Sequence, residues 1–98
     1  MVQIPTLKLL KLAKGSKIKI NGHTYILTRK SNYKTTDEYD DNQDYGGGVK
    51  LELGPDYYLI YEYRSKIWHF IRVTKKRGLI FSSETHLPIT IKEIKIFR

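Results

Sequence analysis

The chain contains no cysteine. Disulfides, thiolate metal centres and cysteine nucleophiles are excluded, and an intracellular, cytoplasmic setting is the simplest expectation. No apolar run approaches the ~18 residues that a membrane-spanning helix requires, so no membrane association is expected. The opening residues MVQIPTLKLLKLAKG are not read as a signal peptide, because Lys8, Lys11 and Lys14 break the apolar stretch. Gly46, Gly47 and Gly48 are followed by neither Lys-Ser/Thr nor a helical pattern, so they are not a phosphate-binding loop. His23, His69 and His86 lack metal-ligand spacing, and no G-x-S-x-G elbow is present. No catalytic residue, metal or cofactor is assigned, and no enzyme is expected.

Acidic residues are scarce as well as unevenly placed. The chain carries eighteen Lys and Arg against ten Asp and Glu, a net charge of +8. Half of the acids (Asp37, Glu38, Asp40, Asp41 and Asp44) fall within residues 37–44, where there is no cation. The other 90 residues hold eighteen cations against five acids, a net of +13. A basic body with one acidic segment implies a polyanionic partner. At 98 residues with 40% hydrophobic content, the chain is read as a single domain, 1–98, with one modest core.

Residues 5–14 read as one or two turns of helix, with Thr6 as N-cap, Leu7, Leu10 and Leu9 as the buried stripe and Gly15 as the stop. The spacing 7, 9, 10, 12 also fits a strand with a bulge. Residues 16–20 and 23–29 flank Asn21-Gly22, a strong hairpin signal. The two-residue turn pairs Ile20 with His23 and Ile18 with Tyr25, so Ile18, Ile20, Tyr25 and Leu27 share a buried face, with Ile26 the exception on the polar face. Residues 30–48 have no apolar period and read as a long polar, acidic loop. Pairing Leu53 with Tyr57 across Gly54-Pro55-Asp56 gathers Val49, Leu51, Leu53, Tyr57, Leu59 and Tyr61 on a core face. A three-residue turn at 64–66 adds Ile67, His69, Ile71 and Val73 to that face; a two-residue turn reverses the assignment. A basic turn at 74–78, a short strand at 79–82, a loop at 83–88 and a last strand at 89–97, bulged between Ile91 and Ile94, complete the chain. The expected fold is mostly β: one small antiparallel barrel or strongly twisted sheet of about six strands, with one short N-terminal helix.

With that register, Lys50, Tyr58, Trp68, Phe70 and Arg72 share the second face of the middle sheet, and Lys75, Lys76 and Arg77 stand at its end. Rings beside cations suit RNA or single-stranded DNA, since bases stack and cations follow phosphates. The competing reading is that the N-terminal segment or the last strand covers Trp68 and Phe70, because a sheet with two apolar faces usually has both covered. The acidic segment, with Asp37, Glu38, Tyr39, Asp40, Asp41, Asp44 and Tyr45, lacks the alternating acids and central glycine of a calcium loop. Its tyrosines suit contact with a protein partner, as in an inhibitor of the kind viruses or mobile elements encode.

YYLIYEYRSKIWHFIRVTKKRGLIF, residues 57–81, resembles the late strands of RelE/ParE-type toxins, a basic-aromatic hairpin. The resemblance covers about a quarter of the chain. It implies a helical hairpin before the sheet, ribonuclease activity on ribosome-bound mRNA, and Arg64, Arg72, Lys76 and Arg77 as cationic site residues. From the residues themselves, the leading expectation is a non-enzymatic nucleic-acid-binding module and the alternative a protein-interaction module.

Overall fold

The Asn21-Gly22 turn forms as its sequence dictates. A computed structural model of the protein describes residues 3–37, 40–78 and 82–97; for residues 34–37, 40–45, 77 and 82 it describes the backbone alone. Asn21 and Gly22 both take positive φ, 52° and 85°, the geometry that matches a two-residue turn to strand twist. The turn joins β1 (Lys17–Ile20) to β2 (His23–Asp37) with Ile20 opposite His23 and Ile18 opposite Tyr25. Asn21 is also a clasp. Its Nδ2 donates to the Thr90 carbonyl (2.9 Å), and its Oδ1 accepts from the Lys92 (2.7 Å) and Glu93 (3.1 Å) amides. These bonds hold the segment that leads into the last strand, β7 (Ile94–Ile96), which pairs with β1 through Ile18–Ile96, Lys19–Lys95 and Ile20–Ile94.

β2 belongs to two parts of the sheet. Residues 23–26 pair with β1; from Leu27 onward the strand pairs with β3 (Asp40–Leu53). The register slips between Leu27 and Arg29, leaving Thr28 as a bulge whose Oγ1 donates to the Glu52 carbonyl (3.1 Å). β4 (Tyr57–Glu62), β5 (Ile67–Arg77) and β6 (Ser82–Ile89) follow by antiparallel pairing. The result is one seven-stranded antiparallel sheet in the order β6-β5-β4-β3-β2-β1-β7, twisted rather than closed into a barrel.

Several expectations are corrected. The stretch 30–48 is not a loop: β2 runs to Asp37 and β3 begins at Asp40, forming a hairpin arm that continues beyond the strands beside it. Past the Gly48–Glu62 pair the arm pairs only within itself among the described residues, and its sequence carries no apolar period that marks a strand. The radius of gyration, 14.9 Å, exceeds the about 13 Å of a compact chain this long, as arms of this kind require. The basic turn at 74–78 is likewise strand to Arg77, and the loop at 83–88 is the edge strand β6. Of the short strand expected at 79–82, residues 79–81 lie outside the described residues. The last strand is shorter than expected, since residues 90–93 form the clasped link.

The decisive correction is the β4–β5 turn. It spans four residues, 63–66, not three. The Lys66 amide closes back on the Glu62 carbonyl (2.9 Å), and Lys66 takes φ 58°. Glu62 therefore pairs with Ile67, Tyr61 with Trp68 and Leu59 with Phe70. A one-residue slip sends every side chain of β5 to the opposite face. Trp68 and Phe70, 7% and 3% exposed, join Val49, Leu51, Leu53, Leu59 and Tyr61 in the main core. His69, expected in that core, is on the outer face beside Glu62, and Ile67 is exposed. Ile71 and Val73 are buried on the outer face with Tyr58, in a second small cluster.

The main core is closed by α1 (Thr6–Leu10) and by Ile18, Ile20 and Ile94. α1 is one turn, capped at Pro5 rather than Thr6, and Leu9 is its buried residue while Leu7 points to solvent. Thr6 has another role: its Oγ1 accepts from the Trp68 indole N–H (2.9 Å), satisfying a donor that burial takes from water. The helical hairpin implied by the RelE/ParE resemblance is not found among the described residues; positions 17–37 are β1, the turn and β2. Thr6→Val, which keeps shape but removes the acceptor, is expected to cost about 1–3 kcal/mol in urea unfolding. Unchanged stability would mean the indole N–H is satisfied elsewhere.

Candidate functional site

The register divides the residues that the sequence pattern placed together. Trp68 and Phe70 are sealed in the core, and Tyr61 lies against the indole with ring centroids 4.8 Å apart. Arg72 and Lys76 alternate in phase with Phe70, so they project from the inner face, where both are exposed. Lys50, Tyr58 and Lys75 remain on the outer face. The Arg77 side chain lies outside the described residues, as do those of Asp37, Asp40, Asp41, Asp44 and Tyr45; Glu38 and Tyr39 lie outside them altogether. The basic-aromatic face of β4 and β5 does not exist as expected. Tyr58 is no stacking platform either: Lys50 Nζ sits 4.8 Å from its ring centroid and His86 meets it edge-on. Of the residues nominated by the toxin resemblance, Arg64 lies in the 63–66 turn, and β5 separates it from Lys76 by about 30 Å of strand.

On the outer face of β2 to β6, opposite charges are interleaved. Glu52 lies 4.0 Å from Arg29 and 3.9 Å from Lys50. Glu62 Oε1 is 2.7 Å from His69 Nε2, and its Oε2 accepts from Ser65 (3.1 Å). Glu84 is bonded to His86; that hydrogen bond, aided by the nearby charges of His86, Lys75 and Lys50, holds its carboxyl below the usual range. Among the described residues, no group of His, Asp and Glu is arranged to hold a metal ion, and no helix is long and apolar enough to cross a membrane.

The other end of the sheet has a different balance. No acid occurs in residues 1–36, which carry eight cations. In β1, Lys17 and Lys19 alternate with the fully buried Ile18 and Ile20, and in β7 Lys95 stands between Ile94 and Ile96. Lys19 and Lys95 are direct cross-strand partners. Like charges so placed oppose folding, and an anion bound between them reverses that sign. The Phe97 amide donates to the Lys17 carbonyl (3.1 Å), which continues the β1–β7 register and sets Phe97 beside Lys17 on the outer face. Phe97 is 45% exposed and Ile26, the partner of Lys17 on β2, is 51% exposed. Glu93, 3.8 Å from Lys95, is the one acid in an ion pair there among the described residues.

This lysine face escaped the sequence reading. Its signals are present in the sequence: an acid-free first third, alternating K-I-K-I, and I-K-I-F near the other terminus. Only the β1–β7 pairing shows that the two stretches form one surface.

Within the first of these regions, the outer faces of β2 to β5 form an open trough of about 580 Å³, lined by Arg29, Ser31, Tyr33, Lys50, Ile60, Glu62 and His69 among others. Gly48 shapes one end. A Cβ there would lie 1.7 Å from the Tyr61 carbonyl oxygen and 2.8 Å from the Tyr33 hydroxyl, so only glycine fits. Burial raises the Tyr33 phenol above its ordinary pKa of 10.0, and the neighbouring Glu62 and Tyr63 add to the shift. Comparison of the chain with protein-family models, curated proteins and solved structures yields no match.

Glu62→Gln removes a negative neighbour of Tyr33, and a negative neighbour disfavours phenolate. The Tyr33 pKa is therefore expected to fall in this variant, yet stay above the ordinary value because burial, the larger cause, remains. Titration of the Tyr33 ring signals by NMR checks this; an unchanged pKa would remove Glu62 from the environment of the ring.

Proposed function

We propose that the protein is a non-enzymatic, intracellular module that binds single-stranded nucleic acid, RNA or DNA, through the outer face of β1 and β7. One observation carries the reading: Lys17, Lys19 and Lys95 lie on one exposed pleated face beside a half-exposed phenylalanine, with a cross-strand lysine pair at its centre. The lysines neutralise phosphates, and Phe97 offers a face on which a base stacks. Such stacking typically contributes about 1–3 kcal/mol. The face contains no recognition helix and no array of base-reading side chains, so binding tolerates many sequences.

The β2–β3 arm supports a second reading. The register of β3 with β4 ends at the Gly48–Glu62 pair, so the acidic positions 37, 40, 41 and 44 are carried beyond it, away from β1 and β7. An acidic projection suits a basic protein partner, and the two readings use separate parts of the sheet.

Affinity for a single-stranded oligonucleotide is expected to fall with salt, with a slope of about −0.7 in log K against log salt for each neutralised phosphate. The variant carrying Lys17→Ala, Lys19→Ala and Lys95→Ala is expected to bind more weakly and with a slope flatter by about 2. An unchanged slope, with the fold intact by circular dichroism, contradicts the assignment of phosphates to this face.

A further inference from the structure

We propose that the trough on β2 to β5 is a nucleotide pocket that prefers guanine. This inference rests on the nucleic-acid reading and adds a base-selective site to the lysine face.

The strand registers arrange the trough in three cross-strand rows. Arg29, Glu52, Tyr58 and Ile71 form one row; Ser31, Lys50, Ile60 and His69 form the next; Tyr33, Gly48, Glu62 and Ile67 form the third. Adjacent rows are about 7 Å apart along the strands. The cations are Arg29 in the first row and Lys50 in the second, with Glu52 between them on the first. The acceptor-rich end is marked by Glu62.

The surface between these ends suits a flat ring. Gly48 contributes no side chain, and the hydroxyl end of Tyr33 lies over the space that a Cβ would fill. Tyr33 and Ile60, both partly exposed, line the same trough from adjacent rows and give it an aromatic and an aliphatic surface. A base stacks on such a surface through its π-face, whichever base it is.

Selectivity comes from Glu62. An ionised carboxylate has about four lone-pair sites and no donor. His69 and Ser65 each engage one oxygen, which leaves an acceptor position on both. The side chain is 46% exposed, so those positions are accessible. Guanine presents two neighbouring donors on its Watson–Crick edge, the ring N1–H and the exocyclic amine. Adenine has an unprotonated ring nitrogen at the corresponding position, which opposes a carboxylate.

At the other end, the Arg29 and Lys50 contacts to Glu52 are long, 4.0 and 3.9 Å, and the Arg29 side chain is 73% exposed. A guanidinium has five N–H donors, so Arg29 retains donors for a phosphate while Glu52 stays in place. One ligand class uses both ends and the surface between them: a guanosine monophosphate, free or within a strand.

The test is calorimetric titration of the intact protein with GMP, AMP, guanosine and inorganic phosphate. GMP is expected to bind at least about tenfold more tightly than AMP or phosphate, a difference of about 1.4 kcal/mol. Glu62→Gln replaces one acceptor oxygen with a donor amide and is expected to abolish the preference over AMP. Arg29→Ala, at an exposed position, is expected to weaken GMP about tenfold and leave guanosine unchanged. The Lys17, Lys19 and Lys95 triple-alanine variant is expected to keep full GMP affinity. Equal affinity for GMP and AMP, no saturation by GMP, or loss of GMP binding in the triple variant overturns the pocket. Oligonucleotide binding that persists in any of these cases leaves the lysine face standing, whereas GMP binding without oligonucleotide binding overturns the lysine face and keeps the pocket.

Discussion

The structure depends on the length of one turn. Residues 63–66 close through the Lys66 amide onto the Glu62 carbonyl, with Lys66 at positive φ. That geometry fixes Tyr61 opposite Trp68 and, through alternation, the face of every residue in β5. With one residue fewer, the indole and Phe70 would face out while His69 faced the leucines. With four residues, the largest side chain of the protein completes the core, and a histidine is left half-exposed beside Glu62 on the outer face. Burying Trp68 then requires a partner for its N–H and a cover for its ring. α1 brings Thr6 to the N–H and adds Leu9 to the buried cluster that holds the ring.

A second constraint acts at Leu27 and Thr28. β2 pairs with β1 before the bulge and with β3 after it, so one strand carries the chain from one part of the sheet to the other. This separation is also electrostatic. Around β3, β4 and β6, each described glutamate lies against a cation or a histidine. On β1 and β7, lysines face each other across the strand pair. The arm leaves from the far end of β2: from Ile26, opposite Lys17, to Asp37 is about 36 Å of strand, several times the Debye length of about 8 Å at physiological ionic strength. Three of the cations, Lys17, Lys19 and Lys95, thus share one face with Glu93 as the one acid in an ion pair there among the described residues.

What was legible in the sequence follows from the range of the interaction that decides each element. Asn21-Gly22 specifies its turn by local φ preference, and the structure agrees. Val49, Leu51 and Leu53 against Tyr57, Leu59 and Tyr61 were legible because both strands alternate and the three-residue link at 54–56 fixes their phase. The link between β4 and β5 was not, since R-S-K fits a three-residue turn as well as Y-R-S-K fits the four-residue one, and no glycine marks the position of positive φ. The arm and β6 were hidden for another reason. A hairpin that runs past its neighbouring strands, or a free edge, lacks the periodicity that identifies a strand. The lysine face was hidden because its halves lie more than seventy residues apart and meet only through β1–β7 pairing.

Binding of a negative strand to β1 and β7, with the indole kept out of contact, is tested most directly by NMR titration of the labelled protein with a single-stranded oligonucleotide. The amide signals of Lys17, Lys19, Lys95 and Phe97 are expected to move with saturation while the Trp68 indole N–H stays in place. Movement of the indole signal, with the β1 and β7 amides unaffected, would contradict it.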